Sequence, residues 1–199
     1  MATISMSKQS KDKNQVPGVL SVHPQKFAMW LFIATVMMLF AAFTSAYIVR
    51  QSQGGWHEVT LPNAFWINSG IIVLSSVTMH FAYTAARRDA FARLRLMVVL
   101  TALLGFGFLF GQMAAYNEMG ANGNYFVGDD VASSFVYVLT FVHAAHLISA
   151  IVFLVIVLYS AFRMKIHSKN MNRMEMCTTY WHFLGGLWIY LFMFLQLNQ

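Results

Sequence analysis

The amino-acid sequence predicts an all-α membrane protein, a bundle of five transmembrane helices with its amino terminus inside and its carboxyl terminus outside. Hydrophobic residues make up 58% of the 199 residues and charged residues only 10%, less than half the share of an average soluble domain. Five stretches are long and apolar enough to cross a bilayer. The basic residues between them gather on one side. This composition, with a single cysteine, excludes a soluble globular domain, a disordered chain and a disulfide scaffold.

The predicted spans follow one another with short connections, and each contains the roughly 20 apolar residues that a membrane helix needs. They cover residues 27–49, 64–86, 96–117, 131–162 and 177–199. Residues 1–25 are therefore predicted to form a polar tail, and residues 26–199 a five-helix membrane domain. The fourth span is longer than a bilayer requires, so we expect it to tilt or to protrude.

Charge between the spans predicts the orientation. Lys and Arg concentrate in the amino-terminal tail and in the connections after spans two and four, whereas the connections after spans one and three contain acidic residues and Arg50. Basic connections stay on the cytoplasmic side of a membrane. The tail is therefore predicted inside, and five spans then place the carboxyl terminus outside. Because orientation accounts for the net charge of +6, nucleic acid is not an expected partner.

Asp, Glu, Lys and Arg are missing from the centres of the spans, which argues against a pump or an ion-coupled transporter. Four histidines lie inside spans: His80, His143, His146 and His182. His80 and His182 are predicted at similar depth near the inner boundary, so that a haem between them would make the chain a small b-type cytochrome. Hydrogen bonding of each imidazole to a neighbouring helix is the alternative. His143 and His146 share a helix face but lack an evident third metal ligand.

Small residues in the spans predict close packing of helices. Gly107 and Gly111 form a G-x-x-x-G pair in the third span, and Gly185 and Gly186 lie in the middle of the fifth. Such residues allow the backbones of neighbouring helices to approach closely. A charge-poor, tightly packed five-helix protein is typical of an accessory subunit, with a membrane scaffold or assembly protein as the other interpretation.

Four spans contain sequence segments that occur, in the same order, in one family. They are W-L-F from Trp30, F-L-F-G-Q-M-A-A-Y from Phe108 to Tyr116, T-F-V-H-A-A-H from Thr140 to His146, and Y-W-H-F-x-x-x-x-W from Tyr180 to Trp188. Over roughly residues 26–199 the chain thereby resembles subunit III of the haem–copper terminal oxidases. That family occurs with seven helices, and with five in many bacterial members.

The chain departs from the family at three positions where members often have a carboxylate. Val36, Ala115 and Gly185 occupy these positions here. The resemblance therefore does not imply that this chain collects protons through carboxylates of its own.

The resemblance implies a non-catalytic subunit of a respiratory oxidase that reduces O2 and translocates protons, in the bacterial cytoplasmic membrane, with cytochrome c or quinol as the electron donor. The chain would hold no cofactor itself. The haems and copper would belong to its partners, subunits I and II, and subunit IV or a larger supercomplex are further candidate partners. Its implied roles are to stabilise the catalytic subunit, to bind phospholipid and to support proton uptake. The residues expected to contact lipid or to form polar links between helices are Trp181, His182, Arg95, His143, His146, Gln112, Tyr180 and Trp188.

Overall fold

The fold consists of five long helices. A computed structural model describes residues 24–53, 63–121, 131–163 and 171–198. The helices are α1 (Pro24–Gln51), α2 (Ala64–Arg87), α3 (Phe91–Ala121), α4 (Val131–Phe162) and α5 (Asn172–Leu197). Each is long and apolar enough to cross a membrane, and the described part of the chain contains no strand. The predicted all-α class with five spans is confirmed.

Most of the helices extend beyond the apolar stretches from which the spans were predicted. α3 begins at Phe91 rather than at residue 96, and α5 begins at Asn172 rather than at residue 177. The added turns contain Arg93, Arg95 and Glu175, because a helix continues through charged residues that a count of apolar residues leaves out. The predicted polar tail, apart from its last two residues, lies outside the described residues, as do most of the connections.

Four helices form a ring, and α1 lies against its outside. α2 contacts α3, α3 contacts α4, α4 contacts α5, and α5 contacts α2, whereas α1 contacts α4 and α5. With three neighbours, α5 has the largest buried share of its apolar window, at 50%. Since α1 does not pack against α2, the two helices form the walls of a cleft whose floor is α5.

The helix ends form two sets. Lys26 at the start of α1 forms an ion pair with Glu175 at the start of α5, with 2.6 Å between Nζ and Oε2. At the other end of these helices the Tyr47 hydroxyl donates a hydrogen bond of 3.1 Å to the Asn198 carbonyl. We call the end with Lys26 the basic end, since among the described Lys and Arg residues only Arg50 lies at the opposite end.

Glycines of α3 allow close approach of its neighbours. A Cβ added at Gly111 would overlap with the Asn68 side chain of α2, and one added at Gly105 would lie 2.8 Å from Cη2 of Trp181 on α5. Gly107, by contrast, has no such neighbour within 4 Å. The close approach predicted for the G-x-x-x-G pair therefore occurs within this chain at Gly111 and not at Gly107, because Gly107 points away from the ring.

Gly111→Ala is expected to lower the free energy of unfolding by about 1–3 kcal/mol, because the added methyl group must displace a buried side chain. Gly107→Ala is the matched control, with the same change on the same helix but open space around it. It should leave stability unchanged, or raise it by about 1 kcal/mol through helix propensity. Unfolding of the purified chain in detergent, followed by tryptophan fluorescence, compares the variants. Equal stability of the two would contradict the close contact at Gly111.

Candidate functional site

Two tryptophans of the Y-W-H-F-x-x-x-x-W motif point into the ring and bond to serines of α2. The indole N–H of Trp181 donates to Oγ of Ser75, and that of Trp188 donates to Oγ of Ser69, each over 3.1 Å. Both tryptophans are only 1% exposed. Seven residues make almost two helical turns, so both indoles lie on one face of α5. Trp181 is one of the residues expected from the sequence to contact lipid or to link helices, and in this structure it forms a polar link because its helix face is turned toward α2.

Aromatic rings surround His143 in the centre of the bundle. The centroid of its imidazole lies 5.2 Å from that of Trp188, 5.9 Å from that of Phe108 and 6.4 Å from that of Phe40. These rings come from α5, α3 and α1, so His143 of α4 touches three other helices. The side chain is fully buried, and neither ring nitrogen has a hydrogen-bond partner among the described residues.

Tyr180 links α5 to α4 at His146, about one turn of α4 nearer the basic end than His143. Its hydroxyl lies 2.8 Å from Oγ of Ser149 and also donates to the backbone carbonyl of His146 over 3.3 Å. The His146 imidazole bonds within its own helix, with 2.8 Å between Nδ1 and the Val142 carbonyl oxygen. One polar link between the two helices therefore runs from the Tyr180 hydroxyl to the Ser149 hydroxyl and the backbone of His146.

Polar side chains join α2, α3 and α4 toward the opposite end. Nδ2 of Asn68 donates to Oε1 of Gln112 over 3.2 Å, and the Tyr116 hydroxyl donates to Oγ1 of Thr140 over 3.0 Å. Nε2 of Gln112 has no partner among the residues that the structure describes. Asn68 is not among the residues predicted from the sequence to link helices, although an amide inside an apolar span indicates hydrogen bonding between helices.

His182 faces the outside of the ring and lies beside the cleft. Its ring centroid is 6.5 Å from that of His80 on α2, so the structure brings together the two histidines that we expected at similar depth. A groove of about 380 Å³ runs along α2 and one of about 490 Å³ along α1, and both include His182 and Gly186. Gly185 instead faces α2, where an added Cβ would lie 2.9 Å from Oγ of Ser76.

Arg95 at the basic end connects α3 to the end of α4. Its guanidinium carbon lies 5.1 Å from the centroid of the Phe162 ring, and its Nη2 donates to the Phe162 carbonyl oxygen over 3.4 Å. Carbonyl groups in the last turn of a helix lack partners within the helix and are favourable sites for a cation. Arg95 therefore stabilises the end of α4.

No group of three or more His, Cys, Asp or Glu that could hold a metal ion occurs within the described residues. The three positions at which the family often has a carboxylate are buried: Val36, Ala115 and Gly185. The polar groups that the structure brings together are thus arranged for contacts between helices.

His143→Leu is expected to leave the free energy of unfolding unchanged or to raise it, because it removes two buried nitrogens that have no partner. Gln112→Leu is the matched comparison, since it also replaces a buried polar side chain but leaves Nδ2 of Asn68 without its partner. It should cost about 1–2 kcal/mol. Denaturant titration of the purified chain in detergent measures both. A larger loss for His143→Leu than for Gln112→Leu would contradict the expectation that the His143 nitrogens make no hydrogen bond.

The similarity to known proteins extends over all five helices. A family model described as cytochrome c oxidase subunit III matches residues 19–198. The chain is 30% identical over 177 residues to a cytochrome c oxidase subunit 3 of Corynebacterium diphtheriae, with 85% of each chain covered. It is 32% identical over 188 residues to a cytochrome c oxidase subunit 3 of Synechocystis sp., covering 88% of this chain and 77% of the relative.

A quinol oxidase subunit 3 of Bacillus spizizenii is also similar, at 25% identity over 170 residues, covering 82% of this chain and 81% of the relative. The family match contains all five helices and the motifs of α1, α3, α4 and α5. It confirms the resemblance stated from the sequence. The chain therefore belongs to the cytochrome c oxidase subunit III family, the non-catalytic subunit of the haem–copper oxidases.

Proposed function

We propose that this multi-pass membrane protein works in the bacterial cytoplasmic membrane as subunit III beside oxidase subunits I and II. There it would stabilise the catalytic subunit, hold phospholipid and support proton uptake. The observation that carries the proposal is the family match over all five helices. The geometry agrees with it, since the motif residues Tyr180, Trp181 and Trp188 are engaged in contacts between helices. Subunit IV or a larger supercomplex would be further partners.

The cleft between α1 and α2 supports the lipid-binding part of the proposal. Its two grooves, of about 380 Å³ and 490 Å³, have mainly apolar walls with His182 between them. An acyl chain suits such a lining, and His182 borders both grooves. We therefore propose His182, rather than the enclosed Trp181, as the motif residue that touches lipid.

Support of proton uptake would be indirect. Val36 and Ala115, at two of the family's carboxylate positions, are at most 2% exposed and belong to the packed interior. A chain without these carboxylates would act by keeping the catalytic subunit in its working structure. The donor, cytochrome c or quinol, would bind elsewhere, and relatives named for both donors are similar to this chain.

The two other functions considered from the sequence are not favoured. His80 and His182 lie close together, as the two axial haem ligands of a b-type cytochrome would. Members of the subunit III family, however, carry no redox cofactor of their own. An unrelated scaffold or assembly protein has no observation in its favour.

The first test is the orientation. Ser52→Cys lies at the opposite end of the bundle, and Ala92→Cys lies in the first turn of α3 at the basic end. In intact spheroplasts a membrane-impermeant maleimide should label Ser52→Cys, whereas Ala92→Cys should react only after permeabilisation. The unaltered chain is the control, since its Cys177 is buried. The reverse pattern would contradict the proposed orientation.

The second test is purification of the tagged chain in a mild detergent, followed by subunit identification and an optical spectrum. We expect the catalytic subunits to accompany the chain and to show oxidase haem signals that persist in His182→Ala. A chain that purifies alone and colourless would contradict the proposal in favour of a scaffold. A chain that purifies alone with a haem spectrum, lost in His182→Ala, would contradict it in favour of a b-type cytochrome.

A further inference from the structure

A third groove, separate from the two in the cleft, lies at the basic end between the end of α2 and the start of α3. It has a volume of about 420 Å³, and its lining includes Arg88, Arg93, Phe81 and Met97. Both arginines are exposed. The turn between the helices is short, because α3 begins at Phe91, and it therefore places the two guanidinium groups beside the same opening.

These two arginines differ from the neighbouring cations. The guanidinium of Arg87 lies over the Tyr83 ring at 5.8 Å, and Arg95 is engaged with the end of α4. Arg88 and Arg93 make no side-chain hydrogen bond or ion pair to any residue that the structure describes. Two exposed positive charges thus lie beside the opening of the groove.

Polarity changes with depth along the groove. Phe81 precedes Arg88 by seven residues, and Met97 follows Arg93 by four, so these apolar side chains lie roughly 10 Å and 6 Å deeper along their helices. The groove therefore has a cationic mouth at the helix ends and an apolar wall toward the membrane centre. A ligand that matches both parts has an anionic head and a hydrocarbon chain.

We propose that this groove binds an anionic phospholipid, with its phosphate held by Arg88 and Arg93 and an acyl chain along Phe81 and Met97. Guanidinium groups bind phosphate oxygens through two parallel hydrogen bonds. Basic pockets between membrane helices on the cytoplasmic side are typical sites for anionic headgroups. The inference deepens the lipid-binding part of the proposed function and places a lipid at a location distinct from the cleft.

The test measures binding of phosphatidylglycerol, and of phosphatidylcholine with the same acyl chains, to the full chain by native mass spectrometry from detergent. We expect preference for phosphatidylglycerol and a loss of about five-fold in affinity per arginine, hence about 25-fold for Arg88→Gln with Arg93→Gln. The matched control combines Arg87→Gln with Arg163→Gln, which removes the same charge outside the groove and should change affinity less than about two-fold. Near-ultraviolet circular dichroism confirms that both double variants are folded.

Equal losses in the two double variants would overturn the proposal, because diffuse surface charge would then explain the preference. Competition distinguishes a lipid from a free phosphate: neither inorganic phosphate nor glycerophosphoglycerol at millimolar concentration should displace phosphatidylglycerol. Displacement by either would overturn the lipid assignment in favour of a simple anion site. Phe81→Asn should weaken phosphatidylglycerol binding, and unchanged binding would exclude the acyl contact. Because the assay needs no other oxidase subunit, its failure would leave the proposed role as subunit III untouched.

Discussion

The hydrogen bonds from the two indoles of α5 to the serines of α2 are the contacts on which the rest of the bundle depends. A membrane offers no water to an indole N–H, so the protein must supply the acceptor. Ser69 and Ser75 do so, and each also donates its own hydroxyl proton to a carbonyl of α2 over 2.8 Å. Because both indoles are fixed, the edge of the Trp181 ring lies against α3 at Gly105, where a residue with a Cβ would be too close to it. The positions of α2, α3 and α5 are thereby coupled.

α1 is attached in a different way. It packs against α4 and α5 but not against the other two helices. Its ties include the ion pair of Lys26 at the basic end, the Tyr47 hydrogen bond at the opposite end, and the ring contact of Phe40 with His143 in the middle. Edge-to-face ring contacts need no exact partner atom. The His143 imidazole, which has no hydrogen-bond partner in the described part of the chain, can therefore serve as a packing surface. α1 remains separate enough from α2 to leave the cleft open.

The same arrangement explains why the motif residues of this family hold helices together and do not carry out a reaction. The motif places Trp181 and Trp188 inside, whereas His182, one residue along, points to the cleft. Helix periodicity makes this alternation unavoidable, since adjacent residues are about 100° apart around the axis. A short motif can thus serve both the interior and the surface on which lipids and partner subunits would act. The non-catalytic nature of the family agrees with this use of its residues.

The sequence by itself determined the class, the number of helices and the family, because hydropathy and motif order are properties of single segments that a bilayer acts on directly. It also predicted that His80 and His182 lie at similar depth. Only the tertiary structure decided which glycine of the pair is close to a neighbour and that Arg88 and Arg93 share a groove. It also decided that His143 contacts aromatic rings and has no hydrogen-bond partner among the described residues. These features depend on how each helix is rotated about its axis and on which helices are neighbours. Because lipid is as apolar as the surface of a membrane helix, hydropathy cannot determine how each helix is rotated. Packing and the few hydrogen bonds between helices determine that rotation.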